Sequence, residues 1–198
     1  MGLPRTAAGT LVAGVALTVP IGIASGMLDA EACLVFVHVV AGILWIGLVH
    51  YLAFVHRPAL AAAAADPRAS GAIGITRFVA PRALAWLRWT AVVAWLSGAA
   101  ALLRYGLLDD AFMLGLNAGA PAEARIIGVG AWLGTIMLLN VWLLIWPSQK
   151  KLLGLVEASA DEIGRATRIA DYASRLNAVL SVPLLASMVG FGHADLVV

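Results

Sequence analysis

The sequence has few charged residues and long stretches that contain none. Asp, Glu, Lys and Arg together make up 12% of its 198 residues, whereas hydrophobic residues make up 62%. Soluble domains carry about 25% charged residues. The run from Ala32 to His56 contains no charged residue, and a helix of about 20 such residues spans a bilayer. The scarcity of charge therefore excludes a fold built around a water-excluded soluble core and predicts an integral membrane protein.

Cysteine and catalytic motifs are equally scarce. Cys33 is the only cysteine, which excludes an internal disulfide and a thiolate metal cluster. The sequence contains no phosphate-binding loop and no nucleophile elbow, and its acidic residues fall in predicted loops or at helix ends, so we name no catalytic residue. The net charge of +2 and pI of 9.0 come from basic residues spread over loops, without a nucleic-acid-binding motif. Nucleic acid is not a predicted partner.

The apolar segments predict an all-α bundle of five transmembrane helices that forms one domain, residues 1–198. The spans are predicted at about 6–28, 32–56, 83–103, 126–146 and 176–192, with cytoplasmic segments at 57–82 and 147–175, the second a polar helical hairpin or helix extension. Pro58 and Pro147 are predicted to end the second and fourth helices. Only Arg104 and Arg125 among the basic residues fall on the outer side. The positive-inside rule then predicts an inside N-terminus, an outside C-terminus and a multi-pass protein of the bacterial inner membrane.

Short motifs follow one another in a recognisable order from Cys33 onward. They are Phe36–Gly47 (FVHVVAGILWIG), Arg88-Trp89, Trp95–Gly98 (WLSG), Gly134–Met137 (GTIM) with Asn140, Trp146–Lys151 (WPSQKK) and Leu180–Leu185 (LSVPLL). This order resembles the membrane domain of bacterial urate hydroxylase, a membrane-bound urate oxidase with a fused cytochrome c. The resemblance implies an inner-membrane redox protein that exchanges electrons with a periplasmic cytochrome c. No Cys-x-x-Cys-His occurs in this sequence, so that cytochrome is expected on another chain.

The sequence departs from that family at three positions. Gly128, Thr90 and Leu176 stand where the family has His, Glu and His, and several helices of the longer members are missing. These departures keep a second function open, a non-catalytic accessory transmembrane subunit of a larger respiratory or photosynthetic complex. Enzymatic activity is expected to be oxidoreductase-like only if haem is bound, with urate turnover as a third possibility.

His38 is the principal candidate site residue. A bare imidazole at membrane depth needs a partner, and such groups are functional candidates by default. One interpretation makes His38 an axial ligand of a b-type haem, as the resemblance also implies, with His193 near the same outer surface as the second ligand. The other interpretation is a histidine bonded to Ser, Thr or a backbone carbonyl of a neighbouring helix. The sequence leaves both open.

Two further residues complete the predicted cofactor site. Trp45 is expected to pack against a porphyrin or in the helix core. Asn140 is expected to bond His38 or a cofactor edge, or else to join two helices, for which such bonds contribute about 0.6 kcal/mol. The spacing of Gly130 and Gly134 predicts a close approach between two helices.

Overall fold

The helices follow the apolar segments of the sequence but extend beyond most of them. The computed structural model describes residues 6–26, 29–66 and 74–192, and these residues form helices without any strand. The helices are α1 (Ala7–Ser25), α2 (Ala30–Ala65), α3 (Ile75–Arg104), α4 (Leu108–Phe112), α5 (Ala122–Leu152) and α6 (Ala160–Gly192). The all-α prediction is confirmed for this part of the chain.

Four helices, α2, α3, α5 and α6, are long and apolar enough to cross a membrane. Large apolar side chains cover their outer surfaces, for example Ile43, Leu143 and Val179, which are all about two-thirds exposed. Such a surface suits lipid, which is as apolar as the protein interior. Helix α1, the first of the five predicted spans, is apolar but shorter. The five-span count and the orientation therefore stay predictions.

Three of the long helices contain a π-helical turn that ends two residues before a proline. The turns are Leu52–His56 before Pro58, Ile75–Val79 before Pro81, and Asn140–Ile145 before Pro147. Each ends with a backbone bond that reaches five residues back, such as Arg57 N–H to the Leu52 carbonyl. The wider turn accommodates the missing N–H and the bulky ring of proline. The prediction that Pro58 and Pro147 end their helices is thus wrong, because α2 and α5 continue past them.

Small residues let the helices pack closely. A Cβ at Gly130 of α5 would lie 2.6 Å from Ser187 Oγ of α6, and one at Gly134 would lie 3.5 Å from Leu184 Cδ1. The close approach predicted from the spacing of these glycines is therefore confirmed. Elsewhere, the core contains fully buried alanines, including Ala91 of α3.

A reciprocal cap begins α6, in the polar half of that helix before its apolar stretch. The Ser159 N–H donates to Glu162 Oε2 at 2.9 Å, and the Glu162 N–H donates to Ser159 Oγ at 3.3 Å, which is a capping box. Lys151 Nζ donates to Glu162 Oε1 at 2.8 Å. The bond from Lys151, followed by that from the Ser159 backbone, lowers the pKa of Glu162 to about 2. This cap thus joins the end of α5 to the start of α6.

Candidate cofactor site

His38 lies on α2 and contacts α3. Its Nδ1 is 2.7 Å from the carbonyl oxygen of Ala94. A carbonyl oxygen can only accept, so Nδ1 carries a proton. In the neutral tautomer with that proton, the lone pair is on Nε2. Within residues 6–26, 29–66 and 74–192, nothing hydrogen-bonds Nε2. A bond to a backbone carbonyl of a neighbouring helix is what the non-ligand interpretation of His38 predicts. The bond uses only Nδ1, however, and metal-bound histidines commonly donate one ring N–H to a carbonyl in the same way.

Gly98, one turn after Ala94, makes room for the imidazole. A Cβ at this position would lie 2.7 Å from His38 Cε1 and 2.8 Å from His38 Nδ1. Real carbon contacts are not this short. A larger residue at position 98 would therefore displace the ring from the Ala94 carbonyl.

An apolar cavity of about 670 Å³ lies beside His38. Residues of α2, α3, α5 and α6 form its wall, together with Phe112 of α4. Its volume is within the range of roughly 300–1,000 Å³ that is typical of cofactor and ligand pockets. Because its wall is almost entirely apolar, the cavity suits a large apolar ligand that carries few polar atoms or a metal.

Trp45 also lines this cavity. It follows His38 by seven residues, close to two helical turns, so the two side chains lie on the same face of α2. Trp45 is 4% exposed, and its indole Nε1 has no hydrogen-bond partner among the described residues. An unpaired buried donor costs about 1–3 kcal/mol. Trp95, also on the wall, differs because its Nε1 donates to Thr135 Oγ1 at 2.8 Å.

Asn140 lies away from the cavity wall, in a buried pair of amides that joins α5 to α6. Asn140 Nδ2 donates to Asn177 Oδ1 at 2.8 Å and to the Ala173 carbonyl at 3.2 Å, and Asn177 Nδ2 donates to the Met137 carbonyl at 3.2 Å. These are the helix-joining bonds that the second interpretation of Asn140 predicts. A role for Asn140 at a cofactor stays a prediction.

His50 and His56 do not join His38. His50 Nε2 is 2.8 Å from Ser181 Oγ, which itself donates to the Ala178 carbonyl and so accepts from His50. His56 is buried at the end of the π-helical turn within α2, with its ring 5.9 Å from that of Tyr51. His193, the predicted second axial ligand, lies outside the described residues. The structure thus brings together His38 and Trp45 from the predicted set.

The donor set fits haem better than a bare metal ion. Among the described residues, no three His, Cys, Asp or Glu side chains converge on one point. Haem iron needs only one or two protein ligands, because the macrocycle supplies the others. His38 Nε2 provides one such ligand, and the apolar cavity beside it provides space.

Packing closes one of the positions that depart from the urate hydroxylase pattern. A Cβ at Gly128 would overlap the carbonyl oxygen of Ala111, so no side chain fits there in this fold. Thr90 is buried, and its Oγ1 donates to the Trp86 carbonyl at 2.7 Å. The ionisable side chains of the family therefore have no equivalent at these positions.

Over the residues that the structure describes, the fold is all-helical, with four helices long and apolar enough to cross a membrane and a histidine beside an apolar pocket. The family described as Urate oxidase N-terminal matches residues 112–196. This match supports a urate oxidase-related family. It covers less than half of the chain and includes Asn140 and Asn177 but not His38. A search of curated proteins and a search of solved structures gave no match.

Proposed function

We propose that this chain is a membrane redox protein related to urate oxidases, in which His38 binds the iron of a b-type haem. The bond from His38 Nδ1 to the Ala94 carbonyl carries the proposal, because it leaves Nε2 unbonded beside an apolar cavity. Haem would supply a one-electron redox centre at membrane depth. Electrons would pass between this haem and a periplasmic cytochrome c on another chain.

Each residue around the cavity has a separate task in this proposal. The Ala94 carbonyl orients the imidazole and raises its basicity as a ligand. Gly98 permits the close contact that this orientation needs. The Trp45 indole N–H, which lacks a partner among the described residues, would donate to an acceptor at the edge of the ligand. The apolar wall excludes water, which is one of the ways a protein tunes a haem potential.

Titration of haem into the purified full-length chain tests the site. We expect a Soret band to saturate at one haem per chain. In His38→Ala, affinity should fall at least about tenfold, the lower end of what disturbing a metal ligand's environment costs. His50→Ala is the matched control, because this histidine lies on the same helix but bonds Ser181. Equal haem affinity in wild type and His38→Ala would refute the proposed ligand.

Electron transfer is tested separately. The haem-loaded protein, reduced with dithionite and freed of excess reductant, is mixed with oxidised cytochrome c. We expect the haem band of the membrane protein to oxidise while cytochrome c becomes reduced. If haem binds normally but exchanges no electrons with cytochrome c, the haem site stands and cytochrome c is refuted as its electron-transfer partner.

A second candidate function is an accessory subunit of a larger membrane complex. The closed position at Gly128 favours it, because this fold has no space for the histidine that the urate hydroxylase family carries there. This function predicts a colourless protein that migrates in native gels of mild-detergent extracts with a fixed stoichiometry in a larger complex. Uric acid consumption by membranes supplied with cytochrome c tests the third possibility, urate turnover.

A further inference from the structure

Arg88 lies in a cage of three tryptophans that is separate from the His38 cavity. Its Cζ is 3.8 Å from the ring centroid of Trp146, 5.9 Å from that of Trp89 and 6.0 Å from that of Trp142. The rings of Trp89 and Trp142 meet edge to face, with centroids 5.5 Å apart. None of these four residues lines the cavity beside His38.

Among the described residues, the cation in this cage has no anionic partner. Three nearby basic residues of the same end of the bundle are paired: Arg57 and Arg175 with Asp171, and Lys151 with Glu162. For Arg88, by contrast, no carboxylate lies within ion-pair distance in the part of the chain that the structure describes. Its Nε is buried without an acceptor, and so is the indole Nε1 of Trp142 beside it.

The cage orients the guanidinium without satisfying it. Aromatic faces attract the cation through the ring quadrupole, but they accept few of its five N–H groups. The buried Nε still lacks an acceptor, and an anionic oxygen would supply one. A guanidinium binds phosphate through two parallel hydrogen bonds.

We propose that Arg88, positioned by Trp89, Trp142 and Trp146, binds the phosphate of an anionic phospholipid. The surroundings favour a lipid as the source of the phosphate. Trp89 is 55% exposed and Trp86, nearby on α3, is 43% exposed, on a helix long and apolar enough to cross a membrane. Tryptophan side chains concentrate at the level of lipid headgroups, and basic pockets between membrane helices bind anionic headgroups.

Native mass spectrometry of the full-length chain tests this proposal. Delipidated protein receives equal amounts of phosphatidylglycerol and phosphatidylcholine with the same acyl chains. We expect phosphatidylglycerol to bind preferentially, and Arg88→Gln to lower its retention about tenfold, the equivalent of one charge-assisted hydrogen bond. Arg104→Gln is the matched control, since Arg104 is the last residue of α3, away from the cage, and pairs with Glu31.

Three results would overturn the proposal. Equal retention of both lipids would show no headgroup selectivity. Unchanged retention in Arg88→Gln would leave Arg88 a packing residue only. Displacement of phosphatidylglycerol by millimolar inorganic phosphate would assign the cage to a soluble anion. If Arg88→Gln does not fold, Arg88→Lys keeps the charge but loses the planar fork, and it must still weaken phosphatidylglycerol retention.

Discussion

Replacing Gly98 by alanine tests the contact between α3 and His38. The new Cβ would lie 2.7 Å from Cε1 of the imidazole, so the ring must recede by roughly 0.7 Å to reach a normal carbon separation. In an ordinary helix the change from glycine to alanine stabilises by about 1 kcal/mol. Overpacking costs about 1–3 kcal/mol, and the strained bond from His38 to Ala94 costs about 1 kcal/mol more if it breaks. The net expectation is a loss of about 1–3 kcal/mol.

Gly14→Ala supplies the control for this experiment. Gly14 also lies inside a helix, but a Cβ there would meet nothing within 4 Å. Both variants are unfolded in mixed micelles and followed by circular dichroism, and both are titrated with haem. We expect Gly98→Ala alone to lose stability and haem affinity together. If Gly98→Ala is as stable as Gly14→Ala and binds haem like the wild type, the ring does not occupy the position described.

Three further predictions concern other polar contacts. A double-mutant cycle of Asn140→Ala and Asn177→Ala should give a coupling energy of about 0.6 to 1.7 kcal/mol in micellar unfolding; additivity would mean that the amides do not bond each other. The Glu162 carboxylate has its pKa lowered from 4.5 to about 2 in the folded chain, so its stabilising contribution should be complete above pH 4.5 and disappear as the pH falls toward 2. Glu162→Gln should lack this acid-dependent change in melting temperature, and an identical pH profile would argue against the cap. Ser181→Ala should lower stability by about 0.6 kcal/mol through the lost bond to His50, while haem binding stays unchanged. A loss of haem binding would mean that His50 takes part in the haem site, contrary to the proposal.

Helix positions were predictable because the signal is strong and local. A run such as Ala32–His56 without charge has one economical structure in a membrane, and the structure has a helix there. Helix ends were less predictable. Pro58 and Pro147 usually indicate a helix end. Here a π-helical turn before each proline accommodates its ring and its missing N–H, so the helix continues. That rearrangement depends on neighbouring helices, which local sequence does not describe.

The shared helix face of His38 and Trp45 was predictable from the sequence, but the contacts of these residues were not. His38 and Trp45 share a face of one helix, so helical periodicity alone brings them to the same wall. The partner of His38 is a backbone carbonyl, at Ala94, and every residue has one, so no sequence signal selects it. Gly98 appeared in the sequence only as part of the Trp95–Gly98 motif, which does not indicate its contact with His38. For Asn140 the sequence leaves a cofactor contact and a bond between helices both open, because a lone amide has the same signature whether it meets a ligand or another amide.

The state of the His38 ring nitrogens is the most direct test of the central claim. Nitrogen-15 spectra of histidine-labelled full-length protein, assigned with His38→Ala, report which nitrogen carries a proton. We predict a proton on Nδ1 and none on Nε2, and we predict that added haem shifts or broadens the Nε2 signal of His38 while His50 is unaffected. A proton on Nε2, or a His38 spectrum that haem leaves unchanged, would contradict the account.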